Sequence, residues 1–142
     1  MKPVQVTLQA PCTVDRLFAC VEDLACYRSW LDLVQRADPI GEGVWSVVLS
    51  ARLGPLRRSK QLRMVRCAYE AGHLVRFERH ELDGRAHAGW VLEVEVLAAD
   101  SGSELVMTMS YDGQWWGPLI ERLLTEQIAA ARPRLVALAM GG

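Results

Sequence analysis

The chain has 142 residues, of which 51% are hydrophobic and 23% are charged. This length and composition fit one domain, residues 1–142, with an apolar core, and they exclude an intrinsically disordered chain. Sixteen basic and seventeen acidic residues give a formal net charge of −1, so we expect no nucleic-acid partner. The apolar runs are too short for a transmembrane span or a secretory signal, which predicts a cytoplasmic protein without stable membrane insertion.

Four cysteines, Cys12, Cys20, Cys26 and Cys67, are spaced as neither a CxxC zinc pair nor a disulfide framework. We expect reduced thiols that behave as small buried hydrophobes. No metal site and no cofactor is predicted.

The first part of the chain predicts one strand and two short helices. Apolar and polar residues alternate over residues 4–9, as in a half-buried strand, and Pro11 follows it. Thr13 is a candidate N-cap for a helix whose apolar stripe is Val14, Leu17, Phe18 and Val21. A second helical stretch, Leu24 to Leu31, places Leu24, Tyr27 and Leu31 on one side.

The middle of the chain, from Val34 to Asp112, predicts six antiparallel strands separated by turn residues. Alternation assigns one inward-facing set to Trp45, Val47, Leu49 and Ala51, and another to Leu105, Met107, Met109 and Tyr111. Between residues 57 and 69 the apolar positions change parity, which favours a β-bulge.

The end of the chain predicts a long amphipathic helix of about six turns. Its apolar positions are Ile120, Leu124, Ile128, Ala131, Leu135 and Leu138. Pro133 lies inside it and is expected to kink or divide the helix.

Asp83 and Gly84 predict a two-residue type I′ hairpin that pairs Phe77 with Trp90. In that register Val75, Phe77, Trp90 and Leu92 share one face of the sheet, because directly paired residues point the same way. His80 and His87 then become neighbours on the opposite face, near Glu78. One interpretation is that the two histidines bind a metal ion together. The favoured interpretation is that both are solvated on the protein surface.

In the same register Arg79 and Glu81 lie on the face of these apolar side chains, opposite the small residues Ala88 and Ala86. One interpretation is that Arg79 orients the polar end of an otherwise apolar ligand. The other is that both side chains lie at a frayed hairpin end and pair with each other or with water.

The order of these elements resembles the START-like, Bet v 1-like or SRPBCC superfamily and its bacterial polyketide cyclase/dehydrase and lipid-transport branch. The residues that carry the resemblance are the opening strand with Ala10-Pro11, the first helix, then Asp23, Tyr27 and Trp30, Val75-Arg76-Phe77, the strand from Trp90 to Val96, and Tyr111 with Gly113. The resemblance implies an α+β helix-grip fold: a curved antiparallel sheet of about seven strands wrapped around a long C-terminal helix, with two short helices after the first strand.

The resemblance also implies a cavity between the sheet and the C-terminal helix. The predicted ligand-binding residues are Trp45, Val47, Leu49, Val75, Phe77, Arg79, Trp90, Leu92, Leu105, Met107, Met109, Tyr111, Ile120, Leu124 and Ile128. Gly113, Gly117 and Pro118 around Trp115 and Trp116 suggest a movable helix start that gates this cavity.

Three functions remain open at this point. The favoured one is binding or transport of a small hydrophobic ligand, such as a lipid, an aromatic or a polyketide-like molecule, by a monomer or weak homodimer. The second is a polyketide cyclase or dehydratase, which lacks an inward general base in this register, so no catalytic residue is assigned. The third is a protein- or membrane-interaction module that uses the basic run Arg57, Arg58, Lys60, Arg63 and Arg66, for which a solvated strand edge is the simpler explanation.

Overall fold

The computed structural model describes residues 3–112 and 120–141, apart from the side chains of Leu53 and Ile120. The elements within these ranges are β1 (Val4–Ala10), α1 (Val14–Ala19), a 3₁₀ helix (Leu24–Ser29), β2 (Val34–Gly41), β3 (Val44–Leu53), β4 (Leu56–Glu70), β5 (Leu74–Arg79), β6 (Trp90–Ala99), β7 (Gly102–Tyr111) and α2 (Ile120–Ala139).

The strands form one antiparallel sheet in the order β1-β7-β6-β5-β4-β3-β2. Consecutive strands are neighbours from β2 to β7, and β1 closes the order by pairing with β7. The predicted α+β arrangement, with two short helices after the first strand and a long helix at the end, is confirmed.

Strand periodicity predicted the inward face correctly. Both inward sets, from Trp45 to Ala51 on β3 and from Leu105 to Tyr111 on β7, are buried. The predicted bulge is also present, because the pairing of β4 with β5 shifts between Arg66 and Ala68 and leaves Cys67 as the extra residue. Cys67 is exposed, however, so the expectation of four buried thiols was wrong at this position.

The first helix begins where the sequence predicts. The Thr13 hydroxyl accepts a hydrogen bond from the Arg16 backbone N–H and caps α1. The second helical stretch is a 3₁₀ helix rather than an α-helix and ends at Ser29. 3₁₀ geometry is typical of short helical connectors such as this one.

The predicted two-residue hairpin at Asp83 and Gly84 was wrong. Phe77 pairs with Leu92 rather than Trp90, and residues 80–89 form an unpaired connection between β5 and β6. A type I′ turn needs positive φ at both central residues, and here only Gly84 has it, at 72°. The shift is two residues, so the paired side chains of β5 and β6 keep their predicted faces.

α2 packs against β1 and α1. The Arg132 guanidinium donates to the Gln9 carbonyl at 2.7 Å, and Arg134 forms a bidentate ion pair with Asp32 at 2.6 and 2.9 Å. The hydrogen bonds from Arg134 lower the pKa of Asp32. Pro133 does not divide the helix as predicted, because it lies on the exposed side, where the missing hydrogen bond is replaced by solvation. The proposed gate, Gly113 to Pro118, lies outside the described residues.

No helix in the described ranges is both long and apolar enough to cross a bilayer.

Candidate functional site

An apolar cavity of about 40 Å³ lies between the sheet and the segment that carries the 3₁₀ helix. The described residues that line it are Leu24, Tyr27, Leu31, Leu33, Val34, Val47, Leu49, Leu62, Met64, Trp90, Val91, Leu92 and Met109. We call residues 24–34 the roof of this cavity and the side chains of β3, β4, β6 and β7 its wall.

Four hydrogen bonds shape the roof, and one of them reaches the sheet. The Asp23 carboxylate caps the 3₁₀ helix through the Ala25 N–H at 2.9 Å, and the same oxygen accepts the Trp45 indole N–H at 3.0 Å. The Tyr27 hydroxyl donates to the Val21 carbonyl at 2.8 Å, and the Trp30 indole N–H donates to the Cys20 carbonyl at 3.2 Å. The cap residue of the roof is thereby bonded directly to a strand of the wall.

The aromatic rings behind these bonds are tightly packed. The Tyr27 and Trp30 rings contact each other at a 40° tilt with centroids 4.7 Å apart, and Phe77 meets Trp45 edge-on at 5.4 Å. Burial raises the pKa of Tyr27 well above its ordinary value, so its hydroxyl stays protonated and remains a donor to Val21. The cavity therefore offers a ligand an apolar surface rather than an ionised group.

The predicted ligand-binding residues divide into two groups. Five of them line this cavity: Val47, Leu49, Trp90, Leu92 and Met109. The others with described side chains are buried but do not line it: Trp45, Val75, Phe77, Arg79, Leu105, Met107, Tyr111, Leu124 and Ile128. The side chain of Ile120 is outside the described residues.

The resemblance implies a cavity against the C-terminal helix, whereas the cavity described here lies under the roof. None of the described α2 residues lines it; the roof takes that place. Tyr27 lines this cavity but is not among the predicted ligand-binding residues. The apolar stripe of Leu24, Tyr27 and Leu31 could have located the roof, because apolar side chains on one side of a helix must pack against another surface.

Arg79 occupies a polar cluster beside the cavity. Its side chain is 5% exposed, and its Nε donates to Glu81 at 2.6 Å. Its other nitrogens donate to the Ala88 carbonyl at 3.2 Å and to His87 Nδ1 at 3.3 Å. Since a guanidinium only donates, His87 Nδ1 accepts, and its Nε2 donates to Asp83 at 2.9 Å.

This cluster ties the 80–89 connection to the sheet. Glu81 also accepts the backbone N–H of Arg63 at 3.1 Å. Burial opposes ionisation of Glu81, but the hydrogen bonds from Arg79 and Arg63 outweigh it and lower its pKa. Of the two interpretations given above, mutual pairing of Arg79 with Glu81 is the one the contacts match, with the pair buried rather than frayed.

The two histidines predicted as cross-strand neighbours both lie in the connection. His80 is near Glu78, at 3.8 Å, whereas His87 faces Asp83 and Arg79. Within the described ranges, no group of three or more histidine, cysteine or carboxylate side chains is arranged to hold a metal ion.

Comparison with known families connects this site to a class of proteins. Residues 1–139 match the family described as polyketide cyclase / dehydrase and lipid transport. The chain belongs to this family. The match covers the strands, the roof and α2, so the cavity lies wholly inside the family's domain.

Solved structures agree with the family assignment at the level of the fold. A START superfamily protein from Mycobacterium smegmatis is similar over 98% of this chain and 97% of its own, with 10% identity and a TM-score of 0.75. A protein from Deinococcus radiodurans has 16% identity, a TM-score of 0.69 and coverage of 93% and 95%. Ara h 8.0201 has 13% identity, a TM-score of 0.67 and coverage of 99% of both chains. The helix-grip, START-like fold predicted for the polyketide cyclase/dehydrase and lipid transport domain is thus confirmed.

Comparison with curated proteins finds no match to this member of the polyketide cyclase/dehydrase and lipid transport family.

Proposed function

We propose that the protein binds a small hydrophobic molecule, with the apolar part of the ligand in the cavity under the roof. The observation that carries this proposal is the lining itself: aliphatic, aromatic and thioether side chains from the roof and four strands surround one empty space. Binding sites for small molecules are typically concave and mostly apolar, so this space is the natural place for such a ligand.

The size of the cavity limits what enters it. At about 40 Å³ it holds more than a single water but far less than a drug-sized molecule, for which pockets of roughly 300 Å³ or more are usual. A lipid, aromatic or polyketide-like ligand therefore places one apolar end there, or displaces the roof to admit more.

Two features make room for such a ligand. Met64 and Met109 line the wall, and methionine has three rotatable bonds that let it follow irregular apolar shapes. The 3₁₀ helix of the roof has only a few hydrogen bonds of its own, and its contact with β3 runs through Asp23 and Trp45.

Binding is favoured over catalysis by the same lining. None of the described lining residues is a carboxylate, an imidazole or a thiol, and the Tyr27 hydroxyl is already bonded to Val21. General acid–base catalysis requires a titratable group within reach of the reacting atoms. The Glu81 carboxylate is held by Arg79 in the polar cluster.

Filling the cavity tests the proposal. Val47→Ile adds one methylene to the wall, so we expect the affinity for a dansyl-labelled fatty acid to fall about tenfold, the usual effect of one methylene in an apolar pocket. Binding is measured by fluorescence titration, and folding is checked by circular dichroism and thermal unfolding.

Val94→Ile is the matched control. Val94 is fully buried on β6 but does not line the cavity. Overpacking there is expected to cost about 1 kcal/mol of stability and to leave probe affinity unchanged. Equal losses of affinity in both variants, or no loss in either, would contradict the proposed site.

A further inference from the structure

The hairpin of β3 and β4 extends past its neighbouring strands. β2 pairs with β3 only as far as Leu49, and β5 pairs with β4 only as far as Met64. The two strands of the hairpin nevertheless stay paired to their tip, Leu53 with Leu56. Residues 50–60, which we call the hairpin arm, therefore project from the sheet as a two-stranded ribbon.

The hairpin arm contains four basic residues, Arg52, Arg57, Arg58 and Lys60, and lies within a longer segment that has no acidic residue. Residues 43–69 contain six of the sixteen basic residues of the chain and none of the seventeen acidic ones. The rest of the chain has ten basic and seventeen acidic residues, a formal charge of −7. The part of β4 that carries Arg57, Arg58 and Lys60 lies beyond its pairing with β5, so these cations stand on an open strand edge.

The register places cations on both faces of the arm. Arg52 lies directly opposite Arg57, and the Arg57 guanidinium donates to the Ser50 hydroxyl at 2.9 Å. Arg58 and Lys60 lie on the other face, opposite Ala51 and Leu49. Like charges placed directly across a strand pair repel each other, and a bound anionic surface relieves that cost.

The tip of the arm is apolar. Gly54 makes the turn with φ of 65°, Pro55 is exposed, and Leu56 is 56% exposed. An exposed aliphatic tip flanked by cations matches the two components of a phospholipid surface, whose anionic headgroups lie over an apolar interior.

We propose that the hairpin arm docks the protein peripherally on anionic phospholipid bilayers. Arg52, Arg57, Arg58 and Lys60 contact the headgroups, and Pro55 and Leu56 enter the boundary between headgroups and acyl chains. A nucleic acid is the weaker fit, because residues 50–60 contain no aromatic side chain to stack on bases and a phosphate backbone has no place for Leu56. This inference is independent of the ligand proposed for the cavity.

Vesicle co-sedimentation tests the proposal on the full chain. We expect binding to vesicles of phosphatidylcholine mixed with phosphatidylserine, loss of binding as salt is raised, and no binding to phosphatidylcholine alone. The double variant Arg57→Ala, Arg58→Ala is expected to bind the mixed vesicles roughly thirtyfold more weakly. Leu56→Ser is expected to weaken binding severalfold at every salt concentration.

The matched control removes the same charge elsewhere. Arg85→Ala combined with Arg122→Ala deletes two exposed arginines outside the arm and is expected to leave vesicle binding within about twofold of the unmodified chain. Equal losses in the two double variants would overturn the proposal, as would binding that Leu56→Ser leaves unchanged. Duplex DNA bound more tightly than the mixed vesicles would assign the arm to nucleic acid instead. Circular dichroism of each variant verifies folding, and a dansyl fatty-acid titration without vesicles shows whether the cavity is affected.

Discussion

At the scale of single residues, Asp23 has two roles that join the roof to the wall. One carboxylate oxygen caps the 3₁₀ helix and also accepts the Trp45 indole N–H. The cap is a local feature that the sequence can suggest. The bond to Trp45 joins residues 22 positions apart and could not be predicted from spacing, which assigned Trp45 only to the inward face.

Replacing Asp23 tests this double role. Asp23→Ala leaves both the Ala25 N–H and the Trp45 indole without this acceptor, so we expect a loss of about 2 kcal/mol in the free energy of unfolding. Asp23→Asn keeps a side-chain oxygen and is expected to lose less than half as much. Chemical denaturation measures both values, and equal losses in the two variants would show that charge rather than hydrogen bonding matters.

At the scale of elements, the connection between β5 and β6 shows where prediction from sequence succeeds and fails. The alternation of apolar and polar residues along a strand predicted that Val75 and Phe77 are buried, and they are. This prediction needs only the two-residue period of a strand and no knowledge of its partner. The turn was predicted wrongly because the Asp83-Gly84 signal competes with tertiary contacts. Asp83 binds His87, and Arg79 binds Glu81 and Ala88, and these bonds hold an open connection in place of a tight hairpin.

Arg79 is expected to be the residue that holds this connection. Arg79→Ala leaves Glu81 partly buried without its cation, so we expect a loss of about 3 kcal/mol in stability and faster amide hydrogen exchange over residues 80–89. Arg76→Ala is the matched control, because Arg76 lies on the same strand, is more exposed, and forms ion pairs with Glu78 and Glu93 on the solvent face. It is expected to cost less than about 1 kcal/mol. Unchanged exchange in Arg79→Ala would contradict the assigned role.

At the scale of the whole molecule, the sheet is completed by pairing its first strand with its last. β1 pairs with β7 along its full length, from Val4 with Met109 to Ala10 with Ser103. Gly102 lies at the end of this seam with φ of 142°, and a Cβ there would contact the Ala10 carbonyl and approach Pro11 Cα to 2.9 Å. Sequence patterns identified both strands, but their pairing joins residues about a hundred positions apart and follows from the fold rather than from local spacing.

The seam is therefore expected to be sensitive to a single methyl group. Gly102→Ala should lower the free energy of unfolding by more than about 3 kcal/mol, because the backbone of β1 must move to admit it. Gly54→Ala also changes a glycine of positive φ, but nothing lies within 4 Å of the added carbon, so about 1 kcal/mol is expected. Thermal and urea unfolding compare the two, and similar losses would mean that backbone conformation alone sets the cost.

The uneven distribution of charge along the chain has a consequence that its overall charge of −1 conceals. Residues 43–69 carry a formal charge of +6 and the remainder a formal −7, so the two signs are separated along the sequence. A charged surface exerts a torque on a dipole before any contact is made, over a distance set by the screening length, which is about 8 Å at physiological ionic strength. If the arm docks as proposed, we expect this distribution to turn the arm toward an anionic surface within about that distance, before contact is made.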